Sequence, residues 1–113
     1  MSRPKKIRFV CQEPFISKFY PEGINDADEV ILTIEGYEAI RLVDFEGMDQ
    51  EKAAEAMNIS RPTLSRILSQ ARSAIAEAIV LGKTLRIEGG NYELCPLRGC
   101  RYRKRHRFRG GRN

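Results

Sequence analysis

Residues 57–68 read MNISRPTLSRIL, and Met57, Ile59, Leu64, Ile67 and Leu68 within them are spaced as a core-facing set. Two arginines, two serines and a proline stand between these apolar positions. A face that only had to be solvated could carry glutamate or lysine, both of which the chain uses freely elsewhere. Asn58 tolerates the left-handed backbone that a tight turn needs. Ser60 can cap a helix, and Pro62 belongs in a first turn, where its missing amide costs no helical bond. The stretch therefore reads as the end of one helix, a three-residue turn, and the start of another helix at Arg61.

Outward from this turn, Leu64, Ile67, Leu68, Ala71, Ile75, Ala78 and Ile79 hold helical spacing for about six turns, until Gly82. On the other side, Asp49 signals a start and Ala53, Ala54 and Met57 give a short helix ending near Asn58. Before it, Thr33 is a cap, Ile34, Tyr37, Ile40 and Val43 share a face, and Gly47 is a stop. Glu35 suits the positive end of that first helix, and the seven acids between residues 35 and 55 read as caps and solvated faces. Gly36 should weaken the helix by up to about 1 kcal/mol relative to alanine.

The flanks are less regular. Ile7, Phe9 and Cys11 alternate with Arg8 and Val10 as in a strand, whereas Pro14 and Pro21-Glu22-Gly23 mark residues 13–25 as loop. Thr84 to Glu88 alternates as a second strand. Gly89-Gly90 then reads as a turn, so that residues 91–94 return as a hairpin, or the strand pairs instead with Ile7 to Cys11. Residues 1–31 thus form a strand and loop, 32–82 the helical domain, 83–94 a strand or hairpin, and 95–113 a basic tail that should be largely disordered.

At 113 residues the chain suits one small domain. It has neither an apolar run of the roughly 18 residues that span a bilayer nor an N-terminal signal segment, which points to the cytoplasm. Residues 95–113 hold eight Lys/Arg and no acid, leaving residues 1–94 with twelve basic against fifteen acidic residues, net −3. Residues 56–76 contain Arg61, Arg66 and Arg72 and no acid.

That acid-free window coincides with the second helix of the pair. Two helices can cross steeply over a three-residue turn if the first is narrow there, as Ala53 and Ala54 make it, and Ile59 fills the angle. Arg61, Pro62, Ser65, Arg66 and Ser69 then face away from the core, near the end that enters the major groove in such motifs. Arginine can make two bonds to a guanine edge, and serine suits base edges or phosphates. Gln50, Ser60, Thr63 and Arg72 are placed for phosphate contacts. The plain alternative is a small helical domain whose serines and arginines are only a solvated surface.

From Leu32 to Ala74, LTIEGYEAIRLVDFEGMDQEKAAEAMNISRPTLSRILSQARSA resembles region 4 of sigma-70-type factors, which share the Leu-Thr start, the glycine before the second helix and the Ile-Ser turn. With RPKKIRFVC, GKTLRIEGGNYEL and its size, the chain is still more similar to a family of small uncharacterised bacterial and archaeal proteins predicted to bind DNA through this motif. The resemblance covers residues 1 to about 94. It implies a mainly α fold: a three-helix, sigma-region-4-like helix-turn-helix of the winged-helix superfamily type with short terminal strands. It also implies a regulatory role, with Arg61, Pro62, Ser65 and Arg66 at base-reading positions. Asn58 stands where glycine is common in such sequences.

Cys95, Cys100 and His106 give C-x4-C-x5-H, which Cys11 would complete as a Cys3His zinc set if the terminal strands lie side by side. The plainer reading makes Cys11 a core residue and the others exposed thiols. Arg101, Arg103, Lys104, Arg105, Arg107 and Arg109 surround Tyr102 and Phe108, as in an arm that adds sequence-independent affinity for nucleic acid. No catalytic constellation is recognisable. The favoured reading is a homodimeric, double-stranded-DNA-binding transcriptional regulator. The alternative is a sigma-like adaptor that contacts RNA polymerase or another protein, with an RNA-binding tail.

Overall fold

The computed structural model describes residues 7–95. Within them the order is β1 (Phe9–Val10), β2 (Lys18–Phe19), β3 (Glu29–Leu32), α1 (Ile34–Ile40), a π-helical turn (Arg41–Phe45), α2 (Gln50–Met57), α3 (Arg61–Leu81), β4 (Thr84–Ile87) and β5 (Glu93–Leu94). No helix here is long and apolar enough to cross a membrane.

Each helix begins where its side chains allow. The Thr33 hydroxyl accepts from the Gly36 amide at 3.0 Å, the Asp49 carboxylate from Lys52 at 2.8 Å, and Ser60 Oγ from Thr63 at 3.3 Å. These caps satisfy first-turn amides that have no helical acceptor. Asn58 and Gly82 close α2 and α3 in the left-handed region, at φ 62° and 66°. A side-chain amide bond from Asn58 Nδ2 to the Ile7 carbonyl, 3.0 Å, then ties the turn to the N-terminal strand.

The three helices form one long connection between two parallel strands. β3 pairs with β4 in register Glu29↔Thr84 to Leu32↔Ile87, and β2 adds antiparallel to the other edge of β4. One core lies among the helices, built from Ala39, Leu42, Ala53, Ala54, Met57, Ile59, Leu64, Ile67 and Leu68. A second joins Val10, Leu32, Ile34, Ala71 and Ile87 between the sheet, α1 and α3. Across the sheet surface Arg86 makes a two-bond pair with Glu29, at 3.0 and 2.7 Å. Its hydrogen bond holds the Glu29 carboxyl below its ordinary pKa, so whatever stability the pair adds is lost on acidification.

Several local expectations differ from this arrangement. Residues 13–25 are not all loop, because Lys18–Phe19 pairs with β4. Such a short edge pairing is set by the partner strand and leaves no periodicity of its own. Residues 83–94 do not form a hairpin. β4 turns to β3 and β2, while β5 runs parallel to β1, Phe9↔Glu93 and Val10↔Leu94. Gly89 and Gly90, at φ 76° and 101°, carry the chain over the start of α1 instead, where the Ile34 amide donates to the Gly89 carbonyl at 3.1 Å.

Gly36 is a packing requirement rather than a weak point. A Cβ there would stand 3.0 Å from Leu32 Cδ1 and Thr33 Oγ1 and 3.3 Å from the Ala71 Cβ, so glycine lets α1 approach α3 closely. All these neighbours are fixed, by core packing or by the cap bond. Gly36→Ala gains up to about 1 kcal/mol of helix propensity but meets an overpacking cost of about 1–3 kcal/mol. We expect net destabilisation of about 1 kcal/mol, read as a lower urea midpoint.

The acids of α1 are the larger correction. Glu35, Glu38 and Glu46 are buried, not solvated. Glu38 receives two bonds from Arg41 at 2.9 Å and the Cys11 amide at 3.0 Å, and Glu46 takes the third Arg41 bond at 2.9 Å. Residues five apart on an α-helix stand about 140° apart around the axis. The π-helical turn, marked by the Glu46 amide donating to the Arg41 carbonyl at 2.8 Å, cuts that offset to about that of an ordinary i, i+4 pair and returns Glu46 to Arg41.

Candidate nucleic-acid interface

α3 divides cleanly around its axis over its first turns. Leu64, Ile67 and Leu68 are buried, whereas Arg61, Pro62, Ser65, Arg66 and Ser69 are all exposed. Ala53 and Ala54 of α2 are buried where the two helices cross, so the narrowing read from the sequence is where the packing needs it.

The exposed residues do not form one uniform patch. Arg66 shares a cleft of about 210 Å³ with Thr63, Gln70, Arg8 and Glu35, walled by Ile31 and Leu32 of β3. Ser65 and Ser69 lie along a shallower groove with Gln50, Arg72 and Ser73. Arg61 borders a third hollow with Asp49, Glu51, Lys52 and Glu55 of α2. Gln50 and Arg72 thus join the two serines, but Arg61 stands beside acids that a phosphate backbone would not favour.

Hydrogen bonds further sort the set. Ser60 donates to the Thr63 hydroxyl at 2.9 Å, so both belong first to the cap of α3. Arg72 is paired with Asp44 through two bonds, 3.1 and 2.7 Å. That bond raises the Arg72 pKa, and the pair is open to solvent, where exchange for another anion costs little. Arg66 has no such bond among the described residues. The acid nearest its cleft, Glu35, is already held by Arg8 at 2.6 Å and by the Asn91 amide at 2.8 Å.

Two cleft residues were not visible as candidates in the sequence. Gln70 lies four positions after Arg66, one helical turn along the same face, a spacing that could have flagged it. Arg8 comes from the segment entering β1 and reaches the cleft only through its bond to Glu35, 27 residues away in sequence, for which no local pattern exists.

The terminal strands do lie side by side, but Cys11 is disulfide-bonded, which corrects both its assignment as a zinc ligand and its reading as a simple core thiol. The Cys95 amide donates to the Val10 carbonyl at 2.8 Å, so the two cysteines follow the last paired positions of β1 and β5. Cys95 is a half-buried free thiol. No group of three His, Cys, Asp or Glu able to hold a metal occurs among the described residues. Cys100, His106 and the tail cations Arg101, Arg103, Lys104, Arg105, Arg107 and Arg109 lie outside those residues.

Comparison with known proteins places the whole described fold in one family. The profile of a protein of unknown function, DUF134, matches residues 1–95. A UPF0251 protein of Thermoanaerobacter pseudethanolicus is 52% identical over 96 residues, covering 83% of this chain and 81% of the relative. One from Thermoanaerobacter sp. strain X514 is 48% identical over 113 residues, 94% of this chain and 100% of the relative. A third, from Pelotomaculum thermopropionicum, is 47% identical over 113 residues, covering 97% and 85%. No solved structure matches. The cap residues, the Asn58 turn and the face of α3 described above all fall within the matched residues, and the chain belongs to the DUF134 (UPF0251) family.

Proposed function

We propose that this chain binds double-stranded DNA, with the N-terminal half of α3 in the major groove, and acts as a dimeric transcriptional regulator. In this reading α1, α2 and α3 are a sigma-region-4-like helix-turn-helix and α3 is its recognition helix. The observation that carries it is the exposed, acid-free face of Pro62, Ser65, Arg66 and Ser69. The acids of α1 and the turn after it are withdrawn from that face: Glu38 and Glu46 are bound to Arg41, Glu35 to Arg8, and Asp44 to Arg72. An exposed face that carries no acid of its own, and from which the carboxylates of α1 and the turn after it are held back, suits a polyanion. Because Arg61 borders Asp49, Glu51 and Glu55, Arg66 is assigned the principal base contact and Arg61 a subsidiary one.

Selection from a random duplex pool tests this. The wild-type chain should recover a defined motif, and Arg66→Ala should cost about 1–3 kcal/mol of discrimination at one position of it while leaving overall binding measurable. Equal binding of all duplexes by the wild-type chain refutes the assignment. Preference for single-stranded RNA over any duplex would favour the sigma-like adaptor instead. Deleting residues 95–113, which hold eight Lys/Arg, should flatten the salt dependence of binding. The slope should fall by up to about 0.9 for each phosphate that the tail had neutralised, with the recovered motif unchanged.

A further inference from the structure

We propose that the last turn of α3, together with Phe19, Tyr20 and Ile24, is the surface through which two copies of this chain pair about a two-fold axis. This deepens the dimer named above and rests on it. At about 100° per residue, Ala78 points to the core while Ile79, Val80 and Leu81 point in three other directions. Ala78 is buried, but Ile79, Val80 and Leu81 are 75%, 76% and 62% exposed. A helix turn that is apolar all round is one that is surrounded in its working state, and nothing within the described residues surrounds this one.

The segment between β2 and β3 extends the apolar surface. A turn in which the Ile24 amide donates to the Pro21 carbonyl sets Ile24 Cδ1 3.8 Å from where a Cβ on Gly82 would stand. α3 packs on β3 and β4, and on the far edge of β4 the β2 residue Phe19 and its neighbour Tyr20 are 53% and 71% exposed.

A second copy is the occupant these features fit. Six large apolar side chains at about 60–120 Å² each supply on the order of 500 Å² per copy, most of the about 800 Å² per partner that a standard interface buries. The Lys83–Glu77 pair at this end, 2.7 Å, offers one charge of each sign, which a two-fold axis makes self-complementary. Residues 96–113 are a poor cover, having Leu97 as their one aliphatic side chain among eight Lys/Arg. The distance also fits. Arg66 lies about 21 Å along the helix from Val80, and half-sites one DNA turn apart require each reading segment to stand about 17 Å from the axis. Two α3 helices meeting at their C-terminal ends are long enough to reach that spacing.

Sedimentation of the full chain without DNA tests the surface. The wild type should be dimeric at about 10 µM, and Val80→Asp or Tyr20→Asp should each raise the dissociation constant at least about 100-fold. Both sites are exposed, so helical content should be unchanged, and the urea midpoint should match that of the wild type when both are unfolded at a concentration where the wild type is monomeric. A wild type that stays monomeric at about 100 µM leaves this face to another protein or to the tail and overturns the proposal, as does a dimer that both variants leave intact. Duplex selection separates this from failure of the DNA reading. Val80→Asp should still recover a half-site but lose its paired spacing, whereas Arg66→Ala should leave the dimer whole and alter the half-site itself.

Discussion

Arg41→Ala should lower the unfolding free energy by about 3–5 kcal/mol, the largest loss expected from any single polar side chain in this protein. Arg41 is 10% exposed, and its two partners Glu38 and Glu46 are each 3% exposed. Burial disfavours the guanidinium charge, but the hydrogen bond to Glu38 and the charges of Glu38 and Glu46 outweigh it and raise the Arg41 pKa. Removing the cation leaves two carboxylates in a dry site with the Cys11 amide as the one further donor shown for Glu38. Buried negative charge then lacks its guanidinium, and breaking a buried pair in this way costs far more than the intact pair contributes.

The comparison that isolates this effect is replacement of all three members. Glu38→Met, Arg41→Met and Glu46→Met together remove the buried carboxylates along with the guanidinium, and should recover much of the loss. Urea unfolding followed by circular dichroism reads both. A loss below about 1 kcal/mol for Arg41→Ala would mean that water reaches the triad and that it is not a buried network.

This triad also shows where reading the sequence stops. Caps and turns are local: Thr33, Asp49, Ser60, Asn58 and Gly82 act on amides or angles within three residues of themselves, and all do what their types suggest. The division of α3 into a buried face and an exposed arginine-serine face follows from its 3.6-residue period. Glu38 and Arg41, by contrast, carry the spacing of a solvated helix pair, and only the arrival of β1 over α1 encloses them. The π-helical turn is likewise invisible, because Arg41–Phe45 has ordinary helical composition and Glu46 is drawn back by a partner rather than by propensity.

The sheet hides for a related reason. β3 and β4 are parallel neighbours separated by three helices, and β1 meets β5 across nearly the whole domain, so each strand is defined by a distant partner. Two-residue strands have no period to read. For the candidate interface the consequence is specific: Arg61 and Arg66 look equivalent in RPTLSR, and only the tertiary placement of Asp49, Glu51 and Glu55 beside Arg61 tells them apart.

Gly90→Ala is the second substitution with a large expected effect, about 2–4 kcal/mol, and it acts through Glu35. Gly90 has φ 101°, where an L side chain is strained. Its new Cβ would overlap the Glu35 carboxylate and lie 3.1 Å from the Thr33 Cβ. Glu35 cannot swing aside freely, since it is buried and anchors Arg8 of the N-terminal segment and the Asn91 amide before β5. Displacing it therefore strands a carboxylate and releases the end at which both parallel strands, β1 and β5, begin. Gly89→Ala is the matched control. It has φ 76° and open space around its Cβ, so it should cost only the backbone strain, about 1–2 kcal/mol. Hydrogen exchange gives the local reading: the Glu93 and Cys95 amides, bonded to the Arg8 and Val10 carbonyls at 2.8 Å, should lose protection in Gly90→Ala and keep it in Gly89→Ala. Equal exchange in the two variants would show that Glu35 is not the clasp that holds the terminal strands against α1.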